Sequence, residues 1–184
     1  MKRTLKYFIL AAALFWCCTQ ASAQRTMPGR SSVAITGGWN GSSVSAGAFF
    51  GKYTLNGYWE AGLVGDDYMV PMSVGGKLHY YDVVVSGEYQ FRLAAARSRV
   101  LNLYAGGGVF AGAELVDPMH RLPEYLSLSV PSASFHWGIY AKMVTELYLG
   151  RRLAVTASAS VPLTPTNKFR VLGFTAGIGL KMIL

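Results

Sequence analysis

The chain has 184 residues, of which 52% are hydrophobic and only 14% charged, with a formal net charge of +8 and two cysteines. So few charges spread over so apolar a chain exclude an unfolded polyampholyte, and no run of basic residues exceeds Arg151-Arg152, which excludes a nucleic-acid footprint. Cys17 and Cys18 both lie near the N-terminus, leaving the remainder without a disulfide framework or a thiolate metal centre.

Lys2, Arg3 and Lys6 form a basic head, followed by nine uncharged residues at 7–15 and by Ala21-Ser22-Ala23, with small residues where a signal peptidase reads. Residues 1–23 are therefore expected to be a cleaved signal peptide and 24–184 an exported domain. Removing the three cations lowers the net charge of +8 to +5. Lipidation at Cys17 or Cys18 is the alternative processing route, disfavoured by the bulky Trp16 just before Cys17. The apolar run is too short to cross a bilayer as a helix, which takes about 20 residues, and no later stretch reaches that length.

From there on the chain alternates. Eight extended segments are predicted at about 32–40, 44–54, 57–66, 76–93, 100–115, 133–149, 152–162 and 169–184, separated by turn residues at the spacing of an antiparallel meander. In the fifth, Leu101, Leu103, Val109, Ala111 and Leu115 oppose Asn102, Tyr104, Phe110 and Glu114. The sixth sets Trp137, Ile139, Ala141, Met143, Leu147 and Leu149 against His136, Tyr140, Lys142 and Glu146. In the seventh, Leu153, Val155, Ala157, Ala159 and Val161 face away from Arg152, Thr156, Ser158 and Ser160. The last is the strictest, with Phe174, Ala176, Ile178, Leu180, Met182 and Leu184 on one side and Gly173, Thr175, Gly177, Gly179 and Lys181 on the other.

Alternation of this kind suits a soluble barrel with its apolar set inside or a membrane barrel with that set facing lipid. Strand length favours the membrane. The fourth to sixth segments exceed the roughly 9–11 residues that a tilted strand needs to cross a bilayer, whereas soluble strands average about 5–6. The connections at 55–57, 94–99 and 150–151 are short and fall at one end, while 66–75, 116–132 and 162–168 are longer and fall at the other, as in outer-membrane barrels; 41–43 breaks the trend. The fold class expected is all-β: an eight-stranded antiparallel transmembrane barrel, up and down, behind a signal peptide. Trp39, Trp59, Tyr68, Tyr80, Tyr81, Tyr89, Phe91, Tyr104, Phe135, Trp137, Tyr148 and Phe174 are expected to cluster near strand ends, where amphipathic rings meet headgroups.

Closure would turn Glu60, Asp82, Glu88, Arg92, Glu114, Lys142, Glu146, Arg152 and Lys181 mostly inward. An isolated buried ion costs several kcal/mol, so these groups are expected to pair as a structural polar network plugging a lumen just wide enough for side chains. No catalytic or cofactor site is expected. His79, His120 and His136 have no metal-ligand spacing; His120 beside Asp117 in the 116–132 connection is the one proximity a surface enzyme could use. Gly106-Gly107-Gly108 lies within a strand and precedes no helix, so it is expected to relieve crowding rather than cradle phosphate. Gly37-Gly38-Trp39 matches the lipocalin G-x-W signature, but the chain ends in a strand where a lipocalin carries a helix.

The start Gln24-Arg25-Thr26-Met27-Pro28-Gly29, the block Leu103-Tyr104-Ala105-Gly106-Gly107-Gly108 with Ala111-Gly112-Ala113-Glu114, the Glu146-Leu147-Tyr148-Leu149 strand and the close Gly177-Ile178-Gly179-Leu180-Lys181-Met182-Ile183 resemble the TraO family of conjugal transfer proteins of conjugative transposons. The resemblance implies a non-enzymatic outer-membrane component of a DNA-transfer apparatus, whose partners are outer-membrane lipid and other conjugation proteins without direct nucleic-acid contact. It brings no active-site residues. A small outer-membrane barrel serving adhesion or envelope integrity is the alternative.

Overall fold

The computed structural model describes residues 28–71, 77–96, 100–116, 133–163 and 174–184. Eight strands run in chain order: β1 (Ser31–Trp39), β2 (Ser43–Tyr53), β3 (Gly57–Pro71), β4 (Lys77–Ala95), β5 (Leu101–Val116), β6 (Ala133–Tyr148), β7 (Leu153–Leu163) and β8 (Thr175–Ile183). Each pairs antiparallel with its sequence neighbours, and β1 closes onto β8 over Ser32↔Ile183 to Trp39↔Ala176. Closure leaves no strand of the cylinder at a sheet edge. That is what allows a sheet to sit where water cannot reach its amides.

Turns at 54–56 and 149–152 mark one end, called lower here; the tight turn at 40–42 marks the upper end. Gly41, at φ +89°, supplies the left-handed residue of that turn, and Asn40 Oδ1 accepts from the amides of Ser42 and Ser43. At the lower end the chain termini of the barrel are tied down: Gly29 N donates to Tyr53 O at 2.8 Å and Leu184 N to Ser31 O at 2.9 Å.

Two boundaries differ from the sequence expectation. Residues 66–71 continue β3 instead of opening a loop. Gly65-Asp66-Asp67 carries turn chemistry, but Asp66 stays in phase with the polar inner face and is held between β2 (Ser45) and β4 (Asp82). At the same rim β3 and β4 run on together past β2, up to Pro71↔Lys77. Ala94 and Ala95 likewise belong to β4, after a register shift between Arg92 and Ala94 where it faces β5. The expected signal segment, the start of the eighth strand at 169–173 and the Asp117–His120 proximity lie outside the described residues.

The side chains invert the pattern of a soluble protein. Val33, Ile35, Leu63, Val83, Val85, Val109, Ile139, Met143, Ile178, Leu180 and Met182 point outward and are exposed, whereas Glu60, Asp82, Glu88, Glu114, His136, Glu146 and Lys181 are buried in the lumen. A soluble fold would forfeit the hydrophobic contribution of the first set and bear the desolvation of the second. Lipid reverses the first of these costs. Outside rings flank the apolar zone, with Trp39, Tyr81, Phe135, Trp137 and Phe174 toward the upper end and Phe50, Trp59 and Phe91 toward the lower. Tyr68, Tyr80, Tyr104 and Tyr148, expected in those belts, are buried inside instead, because they share the phase of the polar residues on their strands.

Candidate functional site

The lumen is organised in three tiers, and the strand register creates the problem that each tier solves. Glu60 on β3 is the direct partner of Glu88 on β4, and Asp66, Asp82 and Glu114 stand side by side across β3, β4 and β5. Like charges opposite one another on a sheet repel, so each row needs cations or donors from elsewhere in the barrel.

In the lower tier Lys181 supplies the cation. Its Nζ lies 2.6 Å from Glu60 Oε1 and 2.7 Å from Glu146 Oε1, joining β8, β3 and β6 across the lumen. Tyr148 OH donates to Glu146 Oε2 at 2.7 Å, and Tyr53 OH reaches the same carboxylate at 3.1 Å. The ammonium also sits 3.8 Å from the centroid of the Tyr58 ring, which packs edge-on against Tyr104 at 4.9 Å. Lys181, Glu146, Tyr53, Tyr58 and Tyr104 are essentially fully buried, so this tier fills the barrel from wall to wall.

The middle tier explains the triple glycine. Gly108 on β5 lies between Glu88 on β4 and Tyr140 on β6, and Gly106 lies between Gln90 and Lys142. With no side chains on β5 at those positions, both β6 residues reach over it. Tyr140 OH donates to Glu88 Oε2 at 2.6 Å, and Lys142 Nζ lies 2.8 Å from Glu88 Oε1. A β-carbon at Gly106 would collide with the Tyr89 carbonyl oxygen, so the absence of a side chain is imposed by the wall as well as by the lumen.

The upper tier holds Asp82, Glu114 and His136, all buried, with Tyr68 and Tyr80 stacked at 4.7 Å near the same rim. Between the upper and middle tiers lies a cavity of about 140 Å³ lined by Asp66, Glu88, Lys142, Ser158, Ser160 and Thr36, among others.

Of the residues expected in the lumen network, Glu60, Glu146 and Lys181 meet in one cluster, Glu88 and Lys142 in a second, and Asp82 and Glu114 in a third. Arg92 and Arg152 fall at the lower end, where both are exposed; Arg92 Nη2 reaches Leu55 O at 3.5 Å. Tyr53, Tyr58, Gln90 and Asp66 are lumen residues that the expected set omits. Strand phase alone would have found Tyr53, which alternates with Gly51 and Phe49 on the inner face of β2.

No family model matches the chain, and no curated protein does. Among solved structures, the N-terminal β-barrel domain of Pseudomonas aeruginosa OprF is similar at a TM-score of 0.57 and 13% identity, over 85% of this chain and 98% of that one. Neisserial surface protein A is similar at a TM-score of 0.50 and 12% identity, over 83% of this chain and 94% of that one. At such identities the likeness is one of architecture: the chain has the closed eight-stranded antiparallel fold of small outer-membrane barrels.

Proposed function

We propose that this protein is a non-enzymatic barrel embedded in a bacterial outer membrane, where it serves adhesion or envelope integrity. The observation that carries the reading is the inversion of its surfaces, with an apolar exterior bounded by aromatic rings and an interior of paired ions. The lower tier argues for an anchor more than a pore, because side chains occupy the cross-section. With tight connections at the lower end, the upper rim is the side offered to partners.

Tryptophan fluorescence tests the embedding directly. Trp39, Trp59 and Trp137 are the only tryptophans after residue 23, and all three point outward. Protein refolded into vesicles with brominated acyl chains should lose most of its emission. Emission indifferent to bromine would overturn the reading.

A second reading rests on the resemblance to the TraO family: the barrel would be an outer-membrane part of a conjugation apparatus, in contact with other proteins of that machinery. Deleting the gene in a donor strain should then cut transfer frequency while leaving envelope integrity and surface attachment intact. The adhesion or envelope role predicts the converse.

A further inference from the structure

Asp82 on β4, Glu114 on β5 and His136 on β6 come from three successive strands and are widely separated in sequence, yet each offers a donor atom within 4.8 Å of the other two. All are buried, His136 with 1% of its surface exposed. Neither ring nitrogen of His136 has a hydrogen-bond partner among the described residues. Its Nε2 lies 3.3 Å from Asp82 Oδ2 without hydrogen-bond alignment. Two neighbouring carboxylates and an unpartnered imidazole beside them, converging on one point in the buried interior, form a donor set suited to a divalent cation.

We infer that Asp82, Glu114 and His136 constitute a divalent-cation site of zinc type at the upper end of the lumen. Two carboxylates match the charge of a divalent ion. The nitrogen donor favours zinc and its transition-metal neighbours over calcium, which takes 6–8 oxygens. A tetrahedral centre about 2.1 Å from each ligand spaces its donors roughly 3.4 Å apart. The His136–Asp82 separation already fits, and a modest side-chain rotation would bring in Glu114. The register supports the convergence: Asp82 and Glu114 are direct cross-strand partners, and the partner of His136 is Gly112, two residues from Glu114 on the same inner face. Gly112 also leaves the space that the imidazole occupies, since a β-carbon there would lie 3.0 Å from His136 Cε1. An ion held this way would cross-link three strands near the rim.

The test uses protein purified in detergent, stripped with chelator and titrated with Zn²⁺ alone. One zinc per chain should be retained through gel filtration. Glu114→Gln and His136→Ala should each weaken binding by more than the roughly 10–100-fold that loss of an outer-shell partner costs. Both variants should still show heat-modifiable gel migration. Should they fail to fold, ¹⁵N-imidazole spectra of a His79→Asn/His120→Asn chain decide the matter, because His136 is then the sole histidine. A zinc-dependent shift of one ring nitrogen is expected. An unchanged spectrum, a wild-type chain that retains no zinc, or variants that bind as well as the wild type would each overturn the site.

Discussion

Replacing Lys181 with methionine keeps an unbranched side chain only one atom shorter and deletes its charge, leaving Glu60 and Glu146 to face each other across the lower tier. Because Nζ lies 2.6 Å from one carboxylate oxygen and 2.7 Å from the other, the sum of those distances caps the separation of the two oxygens at about 5.3 Å. Two unit charges at that distance repel by about 3 kcal/mol at an effective dielectric constant of about 20, and removing one partner of a buried ion pair costs about 3–5 kcal/mol in general. A loss of about 3–5 kcal/mol is therefore expected. It would be read from urea unfolding in vesicles, followed by the gel shift of the unboiled barrel. Adding Glu60→Gln and Glu146→Gln should restore most of the loss, since a neutral amide oxygen can still accept from Tyr53 and Tyr148. If the single variant stays within about 1 kcal/mol of the wild type, or the triple variant recovers nothing, the tier is not held by these charges.

Val109→Arg, at mid-height on the outer face of β5, should cost about 2–4 kcal/mol in vesicle unfolding, whereas Lys52→Leu, at the lower margin, should change stability little. Gly106→Val should cost at least ~3 kcal/mol or abolish the folded band, because the obstacle is the backbone of β4; Gly87→Ala, which meets nothing within 4 Å, should migrate as the wild type. In planar bilayers the barrel should carry no steady ohmic current, because the lower tier blocks the passage, and long-lived channel openings would contradict that packing.

Strand existence and phase were legible because a period of two survives in each segment, most plainly in β8, where Lys181 falls on the same side as three small residues. The direction of that phase needed a second signal. Leu180 out with Lys181 in, and the reverse, write the same alternation; strand lengths beyond the soluble range and the uneven connections favoured the apolar set outside, and the closed barrel bears that out. Tyr104 and Tyr148 were expected in the outer belts because position near a strand end was weighed above phase; their phase with Asn102 and Glu146 points inward, and both are buried. Pairings across the lumen were beyond reach for a different reason. Lys181 meets Glu60 from β8 to β3, and that encounter depends on how every intervening strand is staggered. Asp66 illustrates a local failure, in which turn-like composition yields to the pairing available on both sides.

The β1 to β8 seam sets the order of assembly. It joins Ser32 to Ile183, so the ladder that completes the cylinder is made between the first and last strands, about 150 residues apart. Seven strands without the eighth would present two raw rows of amides to hydrocarbon, each unsatisfied group costing several kcal/mol. Insertion is thus a single cooperative event, slow by the measure of its sequence separation, and a chain truncated after β7 has no stable place in the bilayer.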